Sequence, residues 1–549
     1  MSQYIVPPSL LGWWTSNGAP LAVDPESIAA AVQSVDQPLY IVNTTQGYAL
    51  GVGGAGSIGP EPQLDSAYPM IGYVPPAHPE NLGDITFCLD HGLRYPYASG
   101  GMAAGIGSAD IVEEMARAGM IGIFGAAGLS LQRVEQAITR IQQNIPGLPY
   151  GFNLIHSPHD PSLERGVVEL YIQRGVTLAE ASAFMDLTIN VVRFRTHGIH
   201  RGPNGEVVTP NRVMAKVSRT EVASKFFAPP PAKMLSELVR TGLLTQEQAQ
   251  LAEHIPVAQD LTGEADSGGH TDNRPQVTLI PTMLGLRDRA MAQYQFAQPL
   301  RVGAAGGIAT PGSIAAAFAM GAGYVLVGSI NQACVESGTC DDVRKMLAAA
   351  EEADTTMCPA ADMFEMGVKV QVLKRGTMFA MRATKLYEVY RDCASIEEIP
   401  AAERANLEKT IFKTTLDDVW NQTVAFFKER DPVQVTKGEK DPKHKMALIF
   451  RWYLGQASRW ANQGVPDRRL DYQIWCGPAM GAFNNWTRGT FLEKPENRRV
   501  GLVGYNLMYG GAVMTRLNAL RSQGFPIPEA ALHVPPRELG DVMQRLGLA

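Results

Sequence analysis

One acidic, histidine-ended segment and two glycine-rich stretches carry the chemical signal of this chain. Gly263-Glu264-Ala265-Asp266-Ser267-Gly268-Gly269-His270 is followed downstream by Gly303-Ala304-Ala305-Gly306-Gly307-Ile308-Ala309-Thr310 and by Tyr324-Val325-Leu326-Val327-Gly328-Ser329. A phosphate needs several backbone N–H donors converging on one point, and glycine-rich turns let backbone approach an anion that closely. Gly306-Gly307 and Gly328-Ser329 offer two such turns. Each follows a short apolar run, 300–302 and 324–327, and each precedes a helix-patterned stretch whose N-terminus also favours a phosphate. Strand, glycine turn and helix, twice in succession, is how a barrel grips a phosphate, and the set reads as a flavin mononucleotide (FMN) site.

Other residues fit the same site. His270 closes its segment behind Gly268 and Gly269, which can bring backbone close to a ligand. Its imidazole suits proton transfer near neutrality. Lys216 stands alone in the apolar run Val213-Met214-Ala215-Lys216-Val217. Facing inward it needs an anionic partner and would stabilise a reduced, anionic flavin; facing outward it would snorkel past the helices, and the sequence leaves both open. Gly100-Gly101-Met102-Ala103 has side chains small enough for its backbone to lie against a flat ring, and the Asn153 amide can hydrogen-bond a flavin's polar edge. His91, His156, His159, His197 and His200 lack comparable glycine turns, although His197 and His200 follow the fourth apolar run and could line the pocket. Cys476, in Trp475-Cys476-Gly477-Pro478, reads as a buried apolar cysteine rather than a reactive thiol.

These residues need a scaffold. From residue 95 the chain alternates short β-rich runs with helix-patterned stretches such as 108–118 and 131–143, the signature of βα units. The eight runs are 95–99, 121–124, 150–155, 191–194, 213–217, 255–259, 300–302 and 324–327, which predict an FMN-binding α/β fold, a (β/α)8 TIM barrel. Residues 1–92, rich in glycine and proline with strands expected at 39–42 and 48–52, form a small N-terminal β-containing module. The barrel is expected over 93–345. Residues 346–549 read as a long, mainly helical extension or lid, with helices at 395–413, 416–429 and 445–460, that completes the barrel or covers it. Between residues 429 and 445 the polar, proline-punctuated sequence predicts a solvated surface loop, whose Lys437, Lys440, Lys443 and Lys445 are the candidates for an acidic partner. The aromatic segments 450–460 and 475–486 read mostly as core.

Bulk properties narrow the function. The 549 residues carry 45% hydrophobic and 19% charged residues and a formal charge of −6, which gives no support to nucleic-acid binding. No window reads as a membrane span and residues 1–8 lack a secretory pattern, so a cytoplasmic protein is expected. Six dispersed cysteines without a CxxC pair predict reduced thiols and no metal site.

Over residues 95–330 the pattern resembles the nitronate monooxygenase and FMN-dependent enoyl reductase superfamily, through GGMA at 100–103, GFN at 151–153, AK at 215–216, EADSGGH at 264–270, AAGGIAT at 304–310 and LVGS at 326–329. Beyond the barrel, MFEMGVKV at 363–370, KRGT at 374–377 and WCGPAMGAFN at 475–484 are similar to the PfaD family, trans-acting enoyl reductases of polyunsaturated fatty acid and polyketide synthases. The resemblance implies NADPH as hydride donor, FMN as carrier, and a trans-2-enoyl thioester on an acyl carrier protein domain as substrate. It implies His270 as proton donor or thioester partner. Gly101, Met102, Ala103, Asn153 and Lys216 would hold the flavin ring, Glu264 and Ala265 its edge, Gly268 the adjoining turn, and Gly306, Gly307, Gly328 and Ser329 the phosphate. No separate dinucleotide fingerprint is present, so NADPH and enoyl substrate would share one flavin face. A nitronate monooxygenase-like oxidase and a non-catalytic synthase component are the alternatives. A homodimer is expected by analogy with other extended barrels.

Overall fold

The computed structural model describes residues 9–62, 64–157 and 161–548; His159 and the N-terminal residues 1–8 lie outside them. Eight parallel strands close into a barrel: β1 (Tyr97–Ser99), β2 (Ile121–Phe124), β3 (Gly151–Ile155), β4 (Leu178–Ser182), β5 (Arg212–Val217), β6 (Asp260–Glu264), β7 (Arg301–Ala305) and β8 (Val325–Val327). Each pairs with its sequence neighbours, and β8 closes on β1 with Val327 opposite Ser99. Every residue of β2, β4 and β7 is buried, as a parallel sheet covered by helices requires.

The expected barrel is present, with two of its strands elsewhere than expected. Residues 191–194 lie in the helix Ile189–Thr196, which starts where the Thr188 hydroxyl accepts the Val191 N–H. A run as short as Val191-Val192-Arg193-Phe194 cannot distinguish a helix from a strand, and the real fourth strand is the earlier run of mostly small residues at 178–182. The sixth strand starts at Asp260 rather than 255, because Pro256 lacks an N–H for the ladder and Asp260 pairs in register with Arg301. His197 therefore caps a helix and His200 sits exposed on a small hairpin leading into β5, so neither lines a strand's C-terminal end.

The opposite, N-terminal end of the barrel is plugged by the helix Ile85–His91. Phe87 stacks on Tyr324 with centroids 4.1 Å apart, and Asp260 takes His91 Nε2 at 2.8 Å and Arg301 Nε at 2.6 Å. Burial alone would raise the Asp260 carboxyl, but Arg301 and His91 hold it well below the usual range. His91 thus belongs to the face of a barrel that serves stability.

Ahead of the barrel lies an antiparallel sheet ordered Gly47–Val52, Leu39–Thr44, Tyr68–Val74, Gly12–Thr15, Ala55–Ile58, which includes both expected strands. After β8 come a hairpin, Thr355–Pro359 and Lys369–Leu373, and helices Phe379–Asp392, Leu416–Arg430, Pro432–Lys440 and Pro442–Gln463 packed around Phe364, Phe412, Phe450 and Tyr453. The surface loop expected at 429–445 is instead two helices. Asp431 and Asp441 each cap a helix whose first residue is proline, a pairing that starts helices as readily as it makes turns. Of the four lysines there, Lys443 is spent on the carbonyls of Tyr390 and Cys393 and Lys445 lies 3.6 Å from Glu397.

The chain then returns to the barrel. The 23-residue helix Val500–Ser522 lies against both helix Pro311–Ala319 and helix Ala109–Arg117, the place of an eighth barrel helix. Gly510 and Gly511 permit this, since a Cβ there would come within 2.6 and 2.4 Å of Pro311 and Ile314. The same helix ties down the N-terminal module, with Tyr509 OH donating to Gln33 O and Arg516 to Ser34 O.

Candidate functional site

At the C-terminal end of the barrel the inward positions of four consecutive strands carry polar side chains. Asn153 on β3 and Glu180 on β4 are partners in register, and the Asn153 amide donates to Glu180 Oε2 at 3.0 Å and to Ser182 Oγ at 2.7 Å. Lys216 on β5 faces inward, its Nζ 3.3 Å from Glu264 Oε1 at the end of β6. Burial pulls the Lys216 ammonium down, yet Glu264 and Glu180 together push it above its ordinary value. Glu180, fully buried, is raised by burial against the opposing pull of Lys216 and Asn153. The inward alternative for Lys216 is therefore the observed one, and its anionic partners are named.

Glycines around this cluster divide into two kinds. A Cβ on Gly101 would meet Glu180 Oε2 at 2.7 Å and Asn153 Cβ at 2.8 Å, and without one the Gly101 N–H reaches the Glu180 carboxylate at 3.1 Å. A Cβ on Gly306 (φ +82°) would meet the Ala265 backbone at 2.7 Å, and one on Gly268 the Cys476 backbone at 2.8 Å. Those three glycines serve close packing within the protein. Gly307 (φ +72°) and Gly328 face open space, and the N–H groups of Gly307, Gly328 and Ser329 donate to no backbone acceptor among the described residues. Ser329 Oγ accepts the Gly477 N–H at 3.2 Å, leaving its own O–H to donate. Such a cradle fits a phosphate, and the Asn153–Glu180–Lys216–Glu264 cluster fits a ring edge carrying both donors and acceptors.

The loop after β1 is tightly folded beside it. Gly107 N donates to Met102 O at 2.9 Å, Ala104 is held at φ +59°, and a Cβ on Gly125 would fall 1.6 Å from Met102 O. Met102 and Ala103 are thereby fixed, half-buried, at the mouth. A second non-glycine residue in the left-handed region, Ala183 at φ +60°, directly follows β4. Such strain persists only where surrounding structure over-determines it, and it concentrates at functional sites.

His270 lies on the two-residue strand Gly269–His270, which pairs with Lys369–Leu373 of the extension. Its Nε2 is 3.1 Å from Asp362 Oδ1. Burial would lower the imidazole, but the Asp362 hydrogen bond and charge, aided by Glu264, raise it above its ordinary value. The Ser267-Gly268 turn is held by Gln371, whose amide donates to Asp266 Oδ1 and Ser267 O, and by the backbone of Cys476 and Gly477. Trp475 bridges Val372 on the same edge of the hairpin strand as Gly269–His270, half-buried beside Gly269. Phe483, by contrast, is core.

The structure thus gathers Gly101, Met102, Ala103, Asn153, Lys216, Glu264, Ala265, Gly268, His270, Gly306, Gly307, Gly328 and Ser329 at one end of the barrel. Sequence reasoning missed Glu180, Ser182 and Asp362. A lone carboxylate in the small-residue run Leu178-Ala179-Glu180-Ala181-Ser182 was the available signal, of the same form as Lys216 in its own run. His156, at the end of β3, is engaged by Glu164 at 3.3 Å. All six cysteines are free thiols, and among the described residues no helix is long and apolar enough to cross a membrane.

The nitronate monooxygenase family model matches residues 90–416, and residues 393–472 match that of the inserted helical domain of [acyl-carrier-protein] S-malonyltransferase. One of the polyunsaturated fatty acid synthase subunits of a Thraustochytrium species is 44% identical over 514 residues, 92% of this chain and 34% of that protein. Polyketide biosynthesis protein PksE of Bacillus subtilis is 45% identical over 436 residues, 79% of this chain and 56% of that one. The chain therefore spans only part of the curated relatives it matches. Among solved structures, the enoyl reductase domain of MlnA, from the macrolactin biosynthesis cluster of Bacillus amyloliquefaciens, is 38% identical with a TM-score of 0.77, covering 80% of this chain and 99% of that one.

Proposed function

Because this chain belongs to the nitronate monooxygenase family and is 38% identical to the enoyl reductase domain of MlnA, we propose that it is an FMN-dependent enoyl reductase. Its substrate would be a trans-2-enoyl thioester on an acyl carrier protein domain, with NADPH as the hydride source. The observation that supports this most is the meeting, at one barrel mouth, of two glycine turns whose amides meet no backbone acceptor among the described residues, an inward Lys216 between two carboxylates, and His270. FMN, when bound, supplies the passage of hydride from NADPH to the substrate's β-carbon. The amides of Gly307, Gly328 and Ser329 would hold its phosphate. Asn153, Lys216 and Glu264 would fix its ring edge, with Glu180 orienting Asn153 and the Gly101 amide behind them. His270, its pKa raised, carries a proton at neutral pH more often than a free histidine and can deliver it to the α-carbon. NADPH and enoyl thioester would enter the same mouth in turn, giving ping-pong kinetics.

The test is anaerobic. NADPH should bleach the flavin of the purified protein, and a crotonyl or longer enoyl thioester should restore the colour. His270→Ala should keep the flavin and its bleaching by NADPH while recolouring by the thioester falls by about 100-fold or more. A flavin reoxidised by oxygen alone would favour the oxidase chemistry of the family's name. A colourless protein would leave a non-catalytic synthase component.

A further inference from the structure

Resting on the reductase reading, we infer that Asp362 is the positioning residue of His270, so that the segment after the barrel completes the proton-donating group. Asp362 lies in the loop between Thr355–Pro359 and Lys369–Leu373, 92 residues beyond the histidine it meets. Register puts it there: Lys369–Leu373 pairs with Gly269–His270, with His270 opposite Val370, so the hairpin's own loop folds over the imidazole. The same Oδ1 that takes His270 Nε2 accepts the Met363 N–H at 3.1 Å, which fixes the carboxylate's own direction.

The contact is hard to explain as a stabilising pair. The His270 and Asp362 side chains are 32% and 50% exposed, and ion pairs that open to water contribute little to stability. It does settle orientation. With Nε2 engaged, Nδ1 is the ring's remaining donor, and among the described residues Nδ1 has no protein partner. Charged groups facing the ring are Asp362, Glu264 and Lys216; Arg451 faces Asp362 and is itself 3.1 Å from Glu365. In the reaction, the Nδ1–H bond breaks as the C–H bond forms at the α-carbon, while the hydride equivalent of NADPH enters at the β-carbon. The neutral imidazole then takes a proton from water. Asp362 stays ionised throughout.

The experiment follows the imidazole directly, by histidine-selective NMR titration of the whole 549-residue chain, with the His270 signal assigned by its loss in His270→Gln. Asp362→Asn should lower the His270 titration midpoint, and Asp362→Glu should restore most of it. In turnover, Asp362→Asn should reduce kcat for the enoyl thioester about tenfold with little change in KM, leave bleaching by NADPH unaltered, and add no further loss in a His270→Ala background. An unmoved His270 titration in Asp362→Asn, or an equal extra loss in the His270→Ala background, would overturn the inference. The titration needs neither flavin nor substrate. A protein without reductase activity whose His270 midpoint still falls would sink the reductase reading and keep the pair; an active enzyme with an unmoved midpoint would do the reverse.

Discussion

Lys216→Met is the sharpest perturbation of the site, and its cost can be worked from the surroundings of Lys216. The side chains of Lys216 and Glu264 are 14% and 17% exposed and Glu180 is fully buried, so solvent screens this cluster little. Removing one partner of a buried ion pair costs about 3–5 kcal/mol. A second route reaches the same figure. Without its cation the cluster is relieved by taking up one proton, and holding a carboxyl of ordinary pKa about 4.3 protonated at pH 7.5 costs about 3 units at about 1.4 kcal/mol each, roughly 4 kcal/mol. For a chain of 549 residues whose extension packs into the barrel, that corresponds to a loss of about 3–4 °C in Tm. The sign with pH is fixed. A carboxyl whose folded pKa is raised keeps its stability below the unfolded pKa and loses it as pH rises, so the penalty should shrink to about 2 kcal/mol at pH 5.5. Thermal melts of flavin-stripped protein at pH 5.5 and 7.5 measure this, and stripping removes any contribution from lost cofactor. Lys216→Met combined with Glu264→Gln should recover most of the loss. A fall of under about 1 °C at pH 7.5 that does not vary with pH would refute the burial argument.

Two further substitutions separate packing from ligand contact. Gly306→Ala forces a Cβ into the Ala265 backbone and should lower Tm in flavin-free protein, whereas Gly307→Ala meets nothing and should cost only about 1 kcal/mol for its positive φ while weakening flavin retention at least as much. Melts of both variants before and after flavin stripping distinguish them, and a Gly307→Ala protein that keeps its flavin normally would remove that residue from the phosphate cradle. Cys476 is fully buried and burial pushes its thiol up to about 12, so iodoacetamide at pH 8 should leave it unmodified in the folded protein by mass spectrometry; rapid alkylation would show the segment 475–477 to be open.

The sequence carried those parts of the site whose residue type is unusual for its setting. Lys216 in an apolar run, glycine pairs after strands and a histidine behind two glycines each break a local expectation, and each lies where the barrel's geometry required. What was not legible was register and distance along the chain. Residues 191–194 and 178–182 carry similar apolar signals, and only packing decided which became β4, so Glu180 was lost with its strand. Likewise the pairs Asp431-Pro432 and Asp441-Pro442 mark either a turn or a capped helix start. Burial of Met446, Ile449 and Phe450 against the helical unit made it the second.

The role of the two hundred residues past the last barrel strand follows from the backbone around His270. The Ser267-Gly268-Gly269 turn carries no side chain bulkier than a hydroxyl, so it cannot hold a shape through packing of its own. It is held instead by the Gln371 amide and by backbone contact: a Cβ on Gly268 would meet Cys476, and one on Gly477 would meet Gly268 N at 2.9 Å and Ser267 at 3.0 Å. The hairpin strand Lys369–Leu373 supplies the ladder on the histidine's side, and Gly477 N reaches across to Ser329 Oγ in the phosphate cradle. Three distant segments therefore converge on one turn. The helix Val500–Ser522, filling the barrel's eighth position, anchors the far end of the extension against the barrel it serves. An eight-stranded barrel cut at residue 331 would keep its strands but lose Asp362, the Gly269–His270 ladder and the cover of helices Ala109–Arg117 and Pro311–Ala319, so the extension and the site stand or fall together.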